Sequence, residues 1–282
     1  MTGENGTIIG LSQIFGTAPR SSAFNILLMG DGFRAGEQQH AFDEACEIFR
    51  ATLLAAAPFD RLAARINIFR LNVASLESGA GDMGYFMTRR TYFEATFDSG
   101  SNRLLICNDT LVHTTAAHQL PEYTVPIVVV NTPSYAGSGG PVAVYSLAPD
   151  AELIALHDIG HSAFGLADEY GAPVGSFERI SNRSADGEPH EPNVTVQTDP
   201  AHLKWIGAVK TSPVPMLANA DCSQENRWDT LPFGTVGLFE GAHHAYCGVY
   251  RPQFDCRMRS LDQPFCVVCQ QVILDHFAAY GA

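Results

Sequence analysis

Two short and almost wholly apolar runs constrain the fold of this chain more than any other feature. They are "AFNILLMGD", residues 23–31, and "VPIVVVN", residues 125–131. Runs of this length that carry almost no charge are typical of buried strands. The first run ends at Gly30, Asp31 and Gly32, which predict a tight turn. Both runs are therefore predicted to be core strands.

Helical and extended patterns alternate around these two strands. Residues 35–57 carry apolar side chains at helical spacing, and Pro58 ends the predicted helix. Residues 65–75 alternate apolar and polar side chains, as a half-buried strand does. Residues 141–146 predict a short edge strand, whereas residues 76–103 predict an irregular excursion. This order of elements predicts a mixed α/β (α+β) fold.

The chain changes character after residue 170. Gly, Pro, Asn and Asp recur through residues 171–200, and only short pieces of structure are predicted before residue 264. Residues 264–280 again predict a helix. We therefore divide the chain into a sheet-and-helix half, residues 1–170, and a less regular half, residues 171–282.

Composition and charge exclude several classes of protein. A chain of 282 residues that is 46% hydrophobic buries a large core, so it is neither disordered nor fibrous. Its formal net charge of -13 argues against a nucleic-acid partner, because binding phosphates needs concentrated positive charge. No apolar run is long enough to predict a membrane span. Residues 1–13 also lack the pattern of a signal peptide.

The stretch "LHDIGHSAFGLADEY", residues 156–170, carries the strongest chemical signal. His157 and His161 stand four residues apart, so on a helix they share one face and can present both imidazoles to one metal ion. Asp150 is the predicted N-cap of this helix, and Gly165 is its predicted end.

A catalytic zinc ion takes three protein ligands and keeps a fourth position open for water. The turn at Gly165 can bring Asp168 or Glu169 back toward the two histidines. Asp158 follows the first histidine, where such sites carry the carboxylate that accepts the water's proton. The alternative is a chance spacing in a buried helix, but a core helix rarely needs so many ionisable side chains. The pattern therefore favours a zinc site.

Further segments accompany this motif and occur in a fixed order. Together they resemble the IgA-peptidase family of bacterial zinc metallopeptidases. The resemblance covers roughly residues 23–275, and the segments that carry it are "NILLMGDGF", "RINIFRLNVASLESG", "VVVNTPSYAGSGG", "HDIGHSAFGLADEY", "EPNVT" with "LKW", "GLFEGAHHAYCGVYRPQFDCRMRS" and "PFCVVC".

The resemblance implies a zinc-dependent endopeptidase that acts on a protein or peptide substrate and is secreted or on the cell surface. It implies a metzincin-like fold, in which a mixed twisted sheet and an active-site helix precede a less regular C-terminal half. The two halves would then form one catalytic unit. Carried over to this chain, Asp168 is the third ligand, with Glu169 as second choice, and Met258 forms a methionine turn.

One position departs from the family pattern. The family has glutamate where this chain has Asp158, and aspartate is shorter by one methylene. A displacement of about 1 Å can lower a rate about 100-fold. The resemblance therefore also allows an alternative function, which is a zinc-binding and peptide-binding relative with weakened or absent hydrolysis.

Three residues of the second half are further candidates. The resemblance implies that Glu240 lies near the metal. Tyr246 or Tyr250 could donate a hydrogen bond to the oxyanion of the reaction. For each tyrosine the alternative is a packed aromatic ring with a polar tip.

Two further segments have both a functional and an ordinary interpretation. Val142–Ser146, as an edge strand, could pair with an extended substrate or simply end the sheet. His243 and His244 are adjacent, so on a strand they would point to opposite faces and cannot chelate as a close pair. Exposure to solvent is the expectation for these two histidines.

The last quarter of the chain carries five of its seven cysteines: Cys222, Cys247, Cys256, Cys266 and Cys269. The last four of these could hold a structural zinc ion, although their spacings match no common zinc motif. A disulfide among the last three is an equal alternative, and reduced core thiols are another.

Overall fold

The computed structural model describes residues 2–171, 187–224, 231–232 and 234–281. Half of the irregular stretch predicted for residues 171–200, namely residues 172–186, lies outside the described residues. The chain forms two compact units, Met1–Ala163 with His276–Ala282, and Phe164–Asp275. That the two halves of the chain make one catalytic unit stays a prediction.

The first unit is built on a mixed ten-stranded sheet with the order β1-β2-β4-β3-β8-β10-β9-β7-β6-β5. Its central pairs, β4 with β3, β3 with β8 and β8 with β10, are parallel. The strands are β1 Thr2–Gly3, β2 Gly6–Phe15, β3 Phe24–Asp31, β4 Ile66–Ser75, β5 Gly81–Asp82, β6 Thr96–Asp98, β7 Ser101–Ile106, β8 Val125–Val130, β9 Gly137–Ser138 and β10 Ala143–Ser146.

The two apolar runs form strands at the centre of this sheet, as predicted. β3 and β8 pair with each other, and every residue of both strands is buried. Four helices accompany the sheet: α1 Gln38–Ala55, α2 Phe59–Leu62, α3 Asp109–Gln119 and α4 Glu152–Phe164. The predicted helix over residues 35–57 is α1, whose buried face contains Phe42, Cys46, Phe49 and Leu53. The mixed α/β fold is therefore confirmed.

Three local predictions for this unit are wrong. β4 is not half-buried, because β2 and β3 pair with its two edges and most of its residues are buried. The excursion over residues 76–103 contains β5, β6 and the start of β7. The helix that carries the histidines begins at Glu152, so Asp150, which has a φ of 63°, lies outside the N-cap position.

The second unit contains a three-stranded sheet that the sequence did not predict. It consists of β11 Met216–Leu217, β12 Leu238–Ala242 and β13 Ala245–Arg251, in the order β11-β12-β13. β12 and β13 are antiparallel and form a hairpin. The predicted final helix is α5, Val267–Phe277.

The tip of this hairpin corrects the prediction for the paired histidines. His243 and His244 have φ values of 53° and 59°, so they form the two-residue turn and do not lie on a strand. Both side chains are also partly buried, at 13% and 28% exposure, and not solvent-exposed. Among the described residues, no helix combines the length and the apolar character that crossing a membrane requires.

Candidate metal centre

Helix α4 brings three ionisable side chains of the first unit to one place. The buried residues Ala155, Leu156 and Ile159 anchor the helix in the core. The same turns carry His157, Asp158 and His161, whose candidate ligand atoms lie within 4.8 Å of one another. This clustering follows directly from the helical repeat.

The two imidazoles face a common point. The Nε2 atoms of His157 and His161 are 3.0 Å apart, and the ring planes meet at 76°. His157 is 8% exposed and Asp158 is 3% exposed, whereas His161 is more open to solvent. Solvent therefore reaches the group from the side of His161, whereas His157 and Asp158 lie on its buried side.

A backbone segment that the sequence did not single out covers this group. A Cβ atom placed on Gly139 would lie 2.8 Å from Asp158 Oδ1 and 2.9 Å from His161 Cδ2. A Cβ atom on Gly137 would lie 2.6 Å from Ile154 Cγ2, one turn earlier on the helix. Gly137 and Gly139 therefore lie against α4, where a Cβ atom at either position would be too close to its neighbours. The glycines of residues 137–140 were the available signal in the sequence, but no local pattern identifies what they pack against.

The strand before the helix is not free to bind a substrate. The prediction that Val142–Ser146 forms an open edge is wrong, because β10 pairs with β8 on one side and with β9 on the other. The sequence did not predict the pairing of β9 with β10, because β9 has only two residues, one of which is glycine.

The chain after α4 turns at a glycine, as its sequence suggested. α4 ends at Phe164, and Gly165 follows with a φ of 61°, the left-handed conformation common just past a helix end. In the second unit, Asp168 Oδ2 then lies 3.1 Å from His244 Nε2. The hairpin turn also donates a hydrogen bond from His243 N to the Asp168 carbonyl. The role of Asp168 as third ligand stays a prediction.

Glu169 has a different environment from its neighbour. It is fully buried, and its Oε1 accepts a hydrogen bond of 2.9 Å from Asn193 Nδ2. The same oxygen lies 3.2 Å from the Cys269 thiol. Complete burial raises the pKa of Glu169 well above its usual range. Whether Glu169 serves as an alternative third ligand stays a prediction, but its carboxylate has other partners within the second unit.

Met258 lies in a tight turn, the local geometry expected of a methionine turn. Arg259 N and Ser260 N both donate to the Cys256 carbonyl, and Met258 is fully buried between them. Its carbonyl accepts a hydrogen bond of 2.7 Å from Glu169 N. This hydrogen bond links the turn to the backbone of the segment that contains Asp168.

The other three predicted residues stabilise the hairpin of β12 and β13. Glu240 is buried and accepts hydrogen bonds from Asn219 N at 2.7 Å and from Gly248 N at 2.6 Å. Burial and the neighbouring charge of Glu240 raise the pKa of Tyr250, which hydrogen-bonds to that carboxylate. The ring of Tyr246 packs on Gly171. A direct role of these residues in a reaction stays a prediction.

The cysteines of the second unit fall into two groups. Cys222 and Cys247 form a disulfide, so Cys247 is not available for the predicted structural zinc site. Cys256, Cys266 and Cys269 are free and fully or almost fully buried. They cluster around Glu169, a residue that sequence reasoning did not connect with them.

The sequence model of a family described as IgA Peptidase M64 matches residues 13–230 and 228–277 of this chain. A comparison with curated proteins finds no significant match.

Proposed function

This chain belongs to the IgA peptidase M64 family, and on that premise we propose that it is a zinc-dependent endopeptidase. Membership confirms the resemblance seen in the sequence, makes the chain a peptidase by family, and implies a protein or peptide substrate. Support for zinc comes from one observation, the convergence of His157 Nε2 and His161 Nε2 at 3.0 Å beside Asp158.

The donor atoms fit a zinc ion. Zinc binds imidazole nitrogen at roughly 2.0–2.1 Å, so two nitrogens about 3.0–3.4 Å apart can share one ion. Two histidines and a carboxylate are a ligand set that catalytic zinc sites use. We propose His157, His161 and Asp168 as the ligands, with Glu169 as the second choice for the third position.

The residues of the chain have distinct proposed roles in hydrolysis. When bound, zinc lowers the pKa of a water molecule and polarises the carbonyl of the peptide. Asp158 accepts the proton of the attacking water and passes it to the leaving nitrogen. Gly139 closes one side of Asp158 and limits the directions from which water reaches its carboxylate. Tyr246 or Tyr250 donates a hydrogen bond to the developing oxyanion.

The short side chain of Asp158 favours a second candidate function. In that case the chain binds zinc and peptides but cleaves them slowly or not at all. The observation behind it is that Asp158 Oδ1 faces the backbone of Gly139, which the chain packs too closely for a Cβ atom. A carboxylate that is short and enclosed reaches a substrate-side water less well than a longer one.

We also propose that the chain is exported, in line with the expectation from the family. Disulfides form and persist mainly in oxidising compartments. The bond between Cys222 and Cys247 supports this proposal.

The proposed function is tested by the activity of the purified chain on a broad peptide library. With zinc bound, we expect internal cleavage that a chelator abolishes and that added zinc restores. His118, an exposed histidine of α3, provides the matched control as His118→Ala, which should keep full activity. A library left intact by the zinc-loaded protein and by Asp158→Glu would eliminate the endopeptidase.

A further inference from the structure

A second group of metal-binding side chains lies wholly inside the second unit. We propose that it forms a structural zinc site with four buried ligands: Glu169, Cys256, Cys266 and Cys269. Their ligand atoms lie within 4.8 Å of one another, and none of the four side chains is more than 4% exposed. This site is separate from the histidine group in composition and in proposed role.

The distances within the group match a tetrahedral ion. The sulfurs of Cys256 and Cys269 are 3.7 Å apart. Glu169 Oε1 lies 3.2 Å from the Cys269 sulfur and 3.9 Å from the Cys266 sulfur. With zinc–sulfur bonds of about 2.3 Å and zinc–oxygen bonds of about 2.0–2.2 Å, a tetrahedron needs sulfurs about 3.8 Å apart and sulfur–oxygen pairs about 3.5 Å apart. The side chains therefore need only small shifts to bind an ion.

The backbone around the sulfurs is arranged to accept thiolates. Cys266 N donates to the Cys256 sulfur at 3.1 Å, and Cys269 N donates to the Cys266 sulfur at 3.4 Å. Cys266 immediately precedes α5 and Cys269 lies in its first turn, where the helix dipole favours negative charge.

The carboxylate gives an independent indication of a ligand. Glu169 Oε2 is buried and has no hydrogen-bond partner among the residues that the structure describes. Asn193 orients the carboxylate through Oε1 and is itself fixed by hydrogen bonds with the backbone of Ala167. Such second-layer support is typical of metal ligands. A cation satisfies the remaining oxygen, which otherwise stays buried without a partner.

Charge favours the same conclusion. Three thiolates and one carboxylate around a divalent ion leave net negative charge in the core. The positive charges of two buried arginines offset part of this negative charge. Arg251 interacts electrostatically with Glu169, and Arg257 does so with Cys256. Sulfur ligands select zinc over magnesium or calcium, and a site without an open position is structural.

A disulfide is the main alternative, and it explains less. The sulfurs of Cys256 and Cys269 are 3.7 Å apart, whereas bonded sulfurs are about 2.03–2.05 Å apart, and all three cysteines are free. One disulfide would use two of the three cysteines and leave the third thiol and the carboxylate enclosed together. In the same unit, Cys222 and Cys247 are bonded while these three cysteines are free.

Metal content of the full-length protein tests the site. We expect His157→Ala/His161→Ala to retain one zinc ion per chain, and the addition of Cys269→Ala to remove it. Cys46→Ala is the matched control, because Cys46 is also free and fully buried but lies in α1. A folded double-histidine variant without zinc would overturn the proposal, and so would zinc retention in the triple variant His157→Ala/His161→Ala/Cys269→Ala.

Cobalt(II) provides a test that needs no cysteine variant. We expect protein produced in cobalt medium to show the intense near-ultraviolet absorption of thiolate-to-cobalt charge transfer, also in His157→Ala/His161→Ala. After denaturation with a chelator, thiol titration should find five free thiols per chain, the number of free cysteines in the structure. Absence of the absorption overturns the site, and three free thiols would establish the disulfide.

Discussion

The two candidate metal-binding groups differ in chemistry, burial and origin along the chain. The histidine group combines two imidazoles with Asp158, and His161 is partly open to solvent. The cysteine group combines three thiols with Glu169, and all four side chains are buried. An open nitrogen-and-oxygen site is typical of catalytic zinc, whereas a closed sulfur site is typical of structural zinc.

Their origin along the chain differs just as much. Three positions within five residues of α4 supply the first group, so one helix is enough to assemble it. The second group joins residues up to 100 positions apart, because Glu169 meets Cys269. An ion bound by the cysteine group would link residues near the start of the second unit, at Glu169, to residues near its end, at Cys269. The first group is therefore expected to govern activity, and the second to govern stability.

The largest expected effect comes from the histidine group. His161→Ala should lower peptide hydrolysis at least about 1,000-fold, because loss of even a second-layer partner costs about 10–100-fold. The melting temperature should stay close to that of the parent protein, since His161 is only partly buried. Hydrolysis of a peptide substrate and thermal unfolding measure the two effects, with His118→Ala as the control. Equal activity of the two variants would show that zinc does not act at this helix.

The opposite pattern is expected for the cysteine group. Cys269→Ala should lower the free energy of unfolding by about 4 kcal/mol or more, because binding energy at a structural zinc site is folding energy. The melting temperature should fall by roughly 10 °C. Cys46→Ala, which removes a buried thiol of α1, should cost only about 1 kcal/mol. Scanning calorimetry of both variants measures the difference, and equal losses would reduce the cysteine group to ordinary core packing.

The contrast in origin also explains what the sequence could predict. β3, β8 and α1 follow from local patterns, because their apolar residues repeat with the period of the element that they form. The pairing of His157 with His161 is equally local, since four residues on a helix separate neighbours on one face.

Features that depend on distant pairing were missed or misassigned. β10 was predicted as an edge because the two residues of β9 that cover it carry no strand pattern. β2 was not predicted, although it pairs along most of β4. The contact of Gly139 with Asp158 and the contact of Glu169 with the cysteines arise only when separate segments meet. No periodicity within one segment encodes such a contact.

Gly139 tests how closely the histidine group is enclosed. Gly139→Ala should lower hydrolysis about 100-fold, because its Cβ would lie 2.8 Å from Asp158 Oδ1 and displace the carboxylate by about 1 Å. Gly10→Ala is the matched control, since a Cβ atom there meets nothing within 4 Å. Steady-state kinetics should show the loss mainly in kcat, with zinc content unchanged. Full activity of Gly139→Ala would mean that the segment moves away from the helix at no cost.

The smallest expected effect separates the two candidate functions of the histidine group. Asp158→Glu should raise hydrolysis about 10-fold, because the longer carboxylate recovers part of the roughly 100-fold that a 1 Å displacement can cost. Recovery stays partial since Gly139 already lies against the carboxylate. Asp158→Asn, of equal size but without charge, should abolish hydrolysis and retain zinc. If the native protein cleaves peptides at least as fast as the glutamate variant, Asp158 is a competent base and the non-cleaving candidate is eliminated. If neither protein cleaves peptides while both hold zinc, the endopeptidase is eliminated and the zinc-binding, non-cleaving candidate remains.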